Sequence, residues 1–420
     1  MYMSLRLIYG KSGTGKSEFI FKEISNLINS EEKIYIITPE QFSFTAETKL
    51  LETIEGNSVI NAEVLTFNRM AYRVKNEVGG VTKTNLSSYG KSMIIYDILD
   101  KSKNELKLLG KSAKNIDVVS RFITELKTHS ISISDIQEVI ENEEDLYFKT
   151  KLQDVSHIYK EFEKRIQDNF LDENDTLTIL ANQLPYTNIF ENAIIYIDEF
   201  VGFTPQEYKV MLKLLETVKQ MNITVCTDSL LESKNKDNDI FYTNKKTVSK
   251  IINLANNNGI QIENPVYLDT CFRFKNEELS HLEKNLYKTP YNKYTGDTKN
   301  INLFLSANSY TEIEHVAGKI VHLVRDEGKR YKDISIITKN IDNYASLVKA
   351  VFDKYDIPVF IDQKKDLSQN ILIKYILAIL DIFAKNWDFE SVINYIKLGF
   401  CDITDEEIFK IENYARKWGI

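Results

Sequence analysis

The sequence predicts an α/β protein built on parallel sheets and interrupted by large all-helical inserts. Three observations carry this. Glycine and proline are scarce, 15 and 6 in 420 residues, so few turns are forced; helices and buried strands are favoured over a sandwich of short strands. Apolar runs at 5–9, 34–37 and 63–65 each end in a polar, glycine- or proline-bearing turn and are followed by helical spacing. That rhythm belongs to a parallel sheet, whose ligands gather at the carboxyl ends of its strands. Residues 83–185 then change rhythm, with helical patterns near 87–100, 113–129, 134–141 and 146–169 and no convincing strand.

The sheet pattern resumes with apolar runs at 192–198, 223–227 and 266–268. The polar run 256–259 reads as a helix end with Gly259 as its cap. A second series begins near 301, with strands expected at 301–305, 334–338 and 359–361. Helices are expected at 310–326 and 342–355, the latter with Asp342 as N-cap. After 367 everything reads as helical. The expected organisation is a first domain from 1–82 and 186–300, a helical insert at 83–185, the start of a second domain at 301–366, and the start of a second insert at 367–420. The last helix stops without a tail, so a fragment of a longer chain is expected.

Hydrophobic residues make up 43% of the chain, enough for sizeable cores and against wholesale disorder. The formal charge of -8 does not advertise nucleic-acid binding, although a basic groove can sit on an acidic protein. Cys226, Cys271 and Cys401 are far apart, lack metal-ligand spacing and read as single thiols of a reducing cytosol. No apolar run approaches the ~18–20 residues that span a bilayer, so a cytoplasmic protein without a membrane partner is expected.

The pattern G-x-x-x-x-G-K-S runs from Gly10 through Lys11, Ser12, Gly13, Thr14, Gly15 and Lys16 to Ser17. The glycines let backbone N–H groups turn inward on phosphate oxygens, and the helix after them adds its positive end. In this P-loop, Lys16 would reach the β- and γ-phosphates of a nucleoside triphosphate, ATP, and the Ser17 hydroxyl would ligate Mg2+. A strand before and a helix after meet the motif's context; the alternative is an emptied loop. The run 194–197 ends in Asp198-Glu199. Asp198 would hold the magnesium and Glu199 would polarise the attacking water; the alternative is an ordinary strand end with an acidic cap. An acid pair favours hydrolysis over binding alone.

This order of parts resembles superfamily 1 helicases of the UvrD and RecB type. That resemblance implies two RecA-like domains, each interrupted by a helical insert, with ATP between them. Thr66-Phe67-Asn68-Arg69-Met70-Ala71 is similar to the family's single-stranded-DNA motif, with Met70 in a leucine's place. Arg273, within 267–274, is placed like an arginine that reaches the γ-phosphate and is a candidate catalytic residue. The stretch 331–339 looks like a strand of the second motor domain. More narrowly, Ile37-Thr38-Pro39-Glu40-Gln41-Phe42-Ser43-Phe44, the segment 197–207 and 357–362 resemble the AddB (RexB) family over essentially the whole chain. This implies an AddA partner subunit, DNA as ligand, Chi scanning and double-strand break repair by homologous recombination. It also implies a nuclease domain with an iron–sulfur cluster beyond residue 420. DNA contacts are expected from Phe42, Thr66, Phe67 and Arg69, with Phe44 beside them. Each phenylalanine has the core as its alternative place.

Departures accompany the resemblance. No glutamine precedes Gly10 to read adenine. Cys226-Thr227-Asp228-Ser229-Leu230 stands where a GDxxQ coupling motif is expected, and Lys339 replaces an arginine that could fork across two phosphate oxygens. The reading is a nucleotide-binding subunit that is at most a weak ATPase, with a motor-like fold inactive alone. A P-loop phosphotransferase or switch that never touches DNA is the alternative, with 83–185 as its lid; a second αβ layer at 301–361 separates the two. A scaffold with an empty loop is the third.

Overall fold

The structure, a computed structural model, describes residues 3–28, 30–53, 61–79, 83–109, 115–232, 236–237, 239–288, 290–362 and 367–419. It consists of two units, Met1–Ile301 and Asn302–Ile420. The boundaries expected at 82 and 366, and the expected start of a helix at 113, lie outside the described residues.

In the first unit the strands are β1 (Ser4–Gly10), β2 (Ile34–Ile37), β3 (Ala62–Leu65), β4 (Thr84–Leu86), β5 (Phe170–Asp172), β6 (Ile194–Ile197), β7 (Gln220–Cys226), β8 (Gln261–Ile262) and β9 (Val266–Tyr267). Seven form one parallel sheet in the order β3-β2-β6-β7-β1-β8, with β9 also paired to β1. The strands are near-continuous apolar runs because both faces are covered. On one face Ile8, Ile34, Ile36, Val64, Ile194 and Tyr196 pack against α1 (Lys16–Leu27) and α2 (Ser43–Thr53). On the other, Leu7, Ile37, Leu65, Ile197 and Val225 pack against α3 (Phe67–Val78) and three later helices.

The helical insert is α4 (Ser88–Lys101), α5 (Ile116–Thr128), α6 (Ile133–Asn142) and α7 (Leu146–Ile166), with a core of its own that includes Ile95, Ile98, Ile123, Ile158 and Phe162. Two details depart from the sequence pattern. The insert is closed at its base by β4 and β5, paired in parallel; they read Thr84-Asn85-Leu86 and Phe170-Leu171-Asp172, so neither offers an apolar run bounded by turn residues. Leu180 and Ala181 of α8 (Thr176–Gln183), with Leu184, belong to the sheet's core, not the insert's. The chain returns through α9 (Pro205–Leu215) and α10 (Tyr242–Asn257), and Gly259 takes φ +67° just past the latter.

α11 (Glu277–Asn285) ends the helices of the first unit; the second contains α12 (Ser309–Arg325), α13 (Ile341–Lys354), α14 (Ile371–Ala384), α15 (Phe389–Lys397) and α16 (Asp405–Trp418). Ile313, Ala317 and Ile320 pack on Val348, Val351 and Phe352, with Ile334 and Ile361 against them. The N-cap position of α13 is Asn340, and Asp342 lies in the first turn. The three strands expected here are not formed: among the described residues of this unit none is in a ladder. Leu303 is fully exposed and Ile337 is 95% exposed. An apolar run signals a strand locally, but a ladder also needs a neighbour's N–H and C=O groups, which the pattern does not encode. Among the described residues no helix is long and apolar enough to cross a membrane.

Candidate nucleotide site

The loop between β1 and α1 carries the phosphate pattern. Gly13 and Gly15 take φ +82° and +78°, left-handed turns that alternate with ordinary residues and bend the backbone into a concave nest. Thr14 closes the bend by donating its N–H and its hydroxyl to Lys11 O, at 3.4 and 2.9 Å. Lys16 Nζ donates to Gly10 O at 3.0 Å and Lys11 O at 2.8 Å. Its ammonium is thereby held against the base of the nest, at the start of α1, where the helix dipole also favours an anion.

The neighbouring strand ends complete the site. β7 lies between β1 and β6, and β6 ends at Asp198. Asp198 is buried and accepts a short hydrogen bond from the Thr224 hydroxyl of β7. Glu199 adopts φ +66° and accepts from Ser17 Oγ at 3.2 Å, which brings the acid pair to the loop's serine. The segment after β9 crosses the loop: Phe272 N–H donates to Gly13 O at 2.8 Å, and Arg273 Nη1 donates to Ser12 Oγ at 2.7 Å. Ser12, Gly13, Thr14, Gly15, Lys16, Ser17, Asp198, Glu199 and Arg273 thus line one cleft of about 1170 Å³. Gly10 and Lys11 form the loop's entry beneath it.

The cleft also contains residues that the sequence pattern did not single out, Lys22, Lys49, Thr224, Leu268 and Phe272, together with Cys226, the first residue of the departed coupling stretch. Phe272 is 71% exposed, with ring carbons 3.8 Å from where a side chain on Gly15 would begin. Only for Thr224 was a signal present, as a polar position in a strand covered on both faces. The three cysteines are free thiols.

Gly10 is required by close approach. A Cβ there would lie 2.3 Å from Leu268 O and 2.6 Å from Thr14 Oγ1. Gly10→Ala is therefore expected to push the 268–273 segment off the loop and to lower stability by about 1–3 kcal/mol, read by urea unfolding. The control is Gly318→Ala, inside the helix Ser309–Arg325, where nothing lies within 4 Å and φ is not positive.

Of the expected DNA contacts, two are in structural positions. Thr66 is buried; it caps α3 by accepting Arg69 N–H at 3.2 Å and donates to Glu40 Oε1 at 2.6 Å. Phe67 is buried against Phe200, edge to face at 5.7 Å. Both positions follow from α3 docking its first turn on the sheet, and neither side chain offers a base a stacking face. Phe42 is half-buried, Phe44 is exposed, and exposed Arg69 is ion-paired with Glu47.

Comparison with known proteins gives a consistent result. A family described as the UvrD-like helicase C-terminal domain matches residues 264–420. The chain is 46% identical over 430 residues to the B subunit of the ATP-dependent helicase/deoxyribonuclease of Clostridium tetani (strain Massachusetts / E88). It is 42% identical over 427 residues to the same-named protein of Clostridium botulinum (strain Loch Maree / Type A3), and 42% identical over 427 residues to that of Acetivibrio thermocellus. In each case the alignment covers 100% of this chain and 37% of the relative's length. The family described as ADDB, N-terminal, matches residues 7–283, well over half of the chain. A P-loop facing an acid pair at the carboxyl edge of a parallel sheet, with a helical insert between them, is thus the arrangement of a chain that belongs to the AddB N-terminal family.

Proposed function

We propose that this chain is the nucleotide-binding and DNA-binding part of a subunit of an ATP-dependent helicase/deoxyribonuclease. The observation that carries it is the P-loop facing Asp198-Glu199 in a chain whose relatives bear that name. The proposal extends to an AddA partner, to double-strand break repair by homologous recombination with Chi scanning, and to a motor-like fold that does not unwind DNA alone. Any nuclease and iron–sulfur chemistry would belong to parts outside these 420 residues. A phosphotransferase reading is disfavoured by the match of residues 264–420 to a helicase C-terminal domain, which outweighs the unformed ladder in that region.

The residues fit Mg2+ as the resident cation. Among the described residues no group of three or more His, Cys, Asp or Glu is placed to hold a metal. A cation here must therefore draw on phosphate and water oxygens besides Ser17 and Asp198, which is how magnesium is commonly bound. Such an ion neutralises phosphate charge and orients the terminal phosphoryl group. Lys16 holds the phosphates, Arg273 stands over Ser12 to meet the outermost one, and Phe272 offers its ring to the base. Glu199 orients water. DNA would be met by Phe42, Phe44 and Arg69, not by Thr66 or Phe67.

Titration of the chain with a fluorescent ATP analogue in magnesium tests the nucleotide part. Lys16→Ala is expected to weaken binding by about tenfold or more, since hydrogen bonds to charged groups contribute roughly 1.5–3 kcal/mol. Equal binding by the two chains would remove the reading. Robust unwinding by the wild-type chain alone would overturn the division of labour with a partner.

A further inference from the structure

We propose that Thr224 is a positioning residue that fixes the cation-holding carboxylate Asp198; the inference rests on the magnesium–nucleotide reading above. β7 is buried on both faces, and its sequence is Gln220-Met221-Asn222-Ile223-Thr224-Val225-Cys226. Met221, Ile223 and Val225 fill the core on one face. The other face of the same strand carries Asn222, Thr224 and Cys226, a polar column between Arg6 and Ile8 of β1 and Ile194 and Tyr196 of β6. Asn222 is explained by structure: it accepts Arg6 Nε at 2.7 Å, and Arg6 is in turn paired with Glu23. Among the described residues the Thr224 hydroxyl bonds the acid pair instead. Ile197 of β6 is in register with Ile223 of β7, which sets Asp198 beside Thr224 on the same face. The threonine hydroxyl, on a residue only 4% exposed, donates to Asp198 Oδ1.

The consequence is a division of labour between the two carboxylate oxygens. A carboxylate at a strand end can rotate about its last torsion, and a rotating ligand binds a cation less well than a fixed one. The hydroxyl pins Oδ1 against the strand and leaves Oδ2 for the cation or its water. Groups that orient a metal ligand in this way are worth about 10–100-fold in metal affinity.

The test varies magnesium, not turnover. Binding of the fluorescent ATP analogue is followed across magnesium concentrations and again in EDTA. Thr224→Val keeps the shape and removes the hydroxyl. It is expected to raise the magnesium concentration for half-maximal binding by about 10–100-fold while leaving binding in EDTA unchanged. Thr224→Ser is expected to restore the wild-type curve. Thr224→Cys, a weaker donor of similar size, should fall between, and it carries the test if the valine variant does not fold. In an Asp198→Asn chain, Thr224→Val should add nothing. A magnesium curve for Thr224→Val that superimposes on the wild type, or an equal loss in EDTA, overturns the inference and leaves the nucleotide reading standing. Failure of the wild-type chain to bind nucleotide overturns both, and is told apart by the wild-type titration alone.

Discussion

Glu199→Gln is expected to leave magnesium–nucleotide binding intact while cutting the chain's own ATP turnover by about 10²–10⁴-fold, the usual contribution of a positioned proton acceptor. The backbone supplies the reason. Asp198 N–H makes the last sheet bond of β6, to Ile37 O at 3.0 Å. The next residue turns into φ +66°, a region that costs a non-glycine residue on the order of 1–3 kcal/mol. The packing of the next residues holds that strain in place: Phe200 stacks on Phe203 at 4.9 Å and meets Phe67 edge-on. The turn aims the Glu199 carboxylate at Ser17, so a costly conformation places an acid at the phosphate loop. Glutamine keeps the length, the turn and the contact with Ser17, and loses only the basicity. Binding by fluorescence and single-turnover hydrolysis separate the two effects. Glu199→Gly should lose turnover equally while gaining thermal stability, because the strain goes with the carboxylate. A wild-type chain that binds magnesium–ATP and turns none over would strip Glu199 of this role and leave the loop's binding role untouched.

The parts legible in the sequence are those whose signal is local. The glycine loop states its own conformation, since Gly13 and Gly15 are the residues that take positive φ. The position of the acid pair is legible because a buried apolar run ending in Asp198-Glu199 sets both at the carboxyl edge of the sheet, where the glycine loop also lies. The insert helices follow from 3.6-residue spacing. The features that escaped depend on contacts distant in sequence. Phe67 sits in a motif that pointed to DNA, yet the register of α3 on the sheet turns its ring inward. Phe272 and Lys49 reach the cleft only because β9 and α2 are brought to it. The strands expected at 301–305 and 334–338 had the right apolar pattern, but pairing is a property of two segments, and neither alone specifies the other. Asp172 is the clearest omission: one acidic residue among many in the sequence, it becomes a buried ionic centre only when α4, α5 and β5 meet.

Asp172→Ala is expected to destabilise the helical insert by about 3–5 kcal/mol, the cost of leaving a buried charge without its partner. The Asp172 side chain is 2% exposed; Oδ2 stands 3.2 Å from Lys91 Nζ and 3.3 Å from Lys127 Nζ. Oδ1 accepts the backbone N–H and the side-chain amide of Asn174. Lys127 keeps Asp175 at 2.6 Å and Glu163 at 2.7 Å in the variant, but among the described residues Lys91 keeps only uncharged partners, the Thr124 hydroxyl at 3.0 Å and the Phe162 ring at 5.6 Å. Burial already holds the Lys91 ammonium below its ordinary pKa, against the pull of Asp172, and without that carboxylate it falls further. The sign of the pH effect is then fixed. A lysine whose folded pKa lies below its unfolded value of about 10.5 binds fewer protons folded than unfolded, so stability rises with pH across that interval. The variant should therefore recover part of its loss as pH is raised from 7 towards 10. Asp172 itself carries the opposite dependence: burial pushes its carboxyl up, and Lys127 and Lys91 more than offset this, leaving it below the usual range. Its contribution is present above the unfolded carboxylate pKa and lost as pH falls through the folded one, so the wild type, and not the variant, should show that acid loss. Hydrogen exchange is the suitable readout, because it separates the insert from the sheet. Amides of α5 and α7 should lose protection first. The loss should reach the sheet through Asn174, whose carbonyl accepts Gln206 Nε2 of α9 at 2.8 Å. Uniform loss across the sheet and insert would mean that the ionic centre belongs to one cooperative unit with the nucleotide site. Loss confined to α4–α7 would mean that the insert unfolds on its own, with β4 and β5 as its hinge.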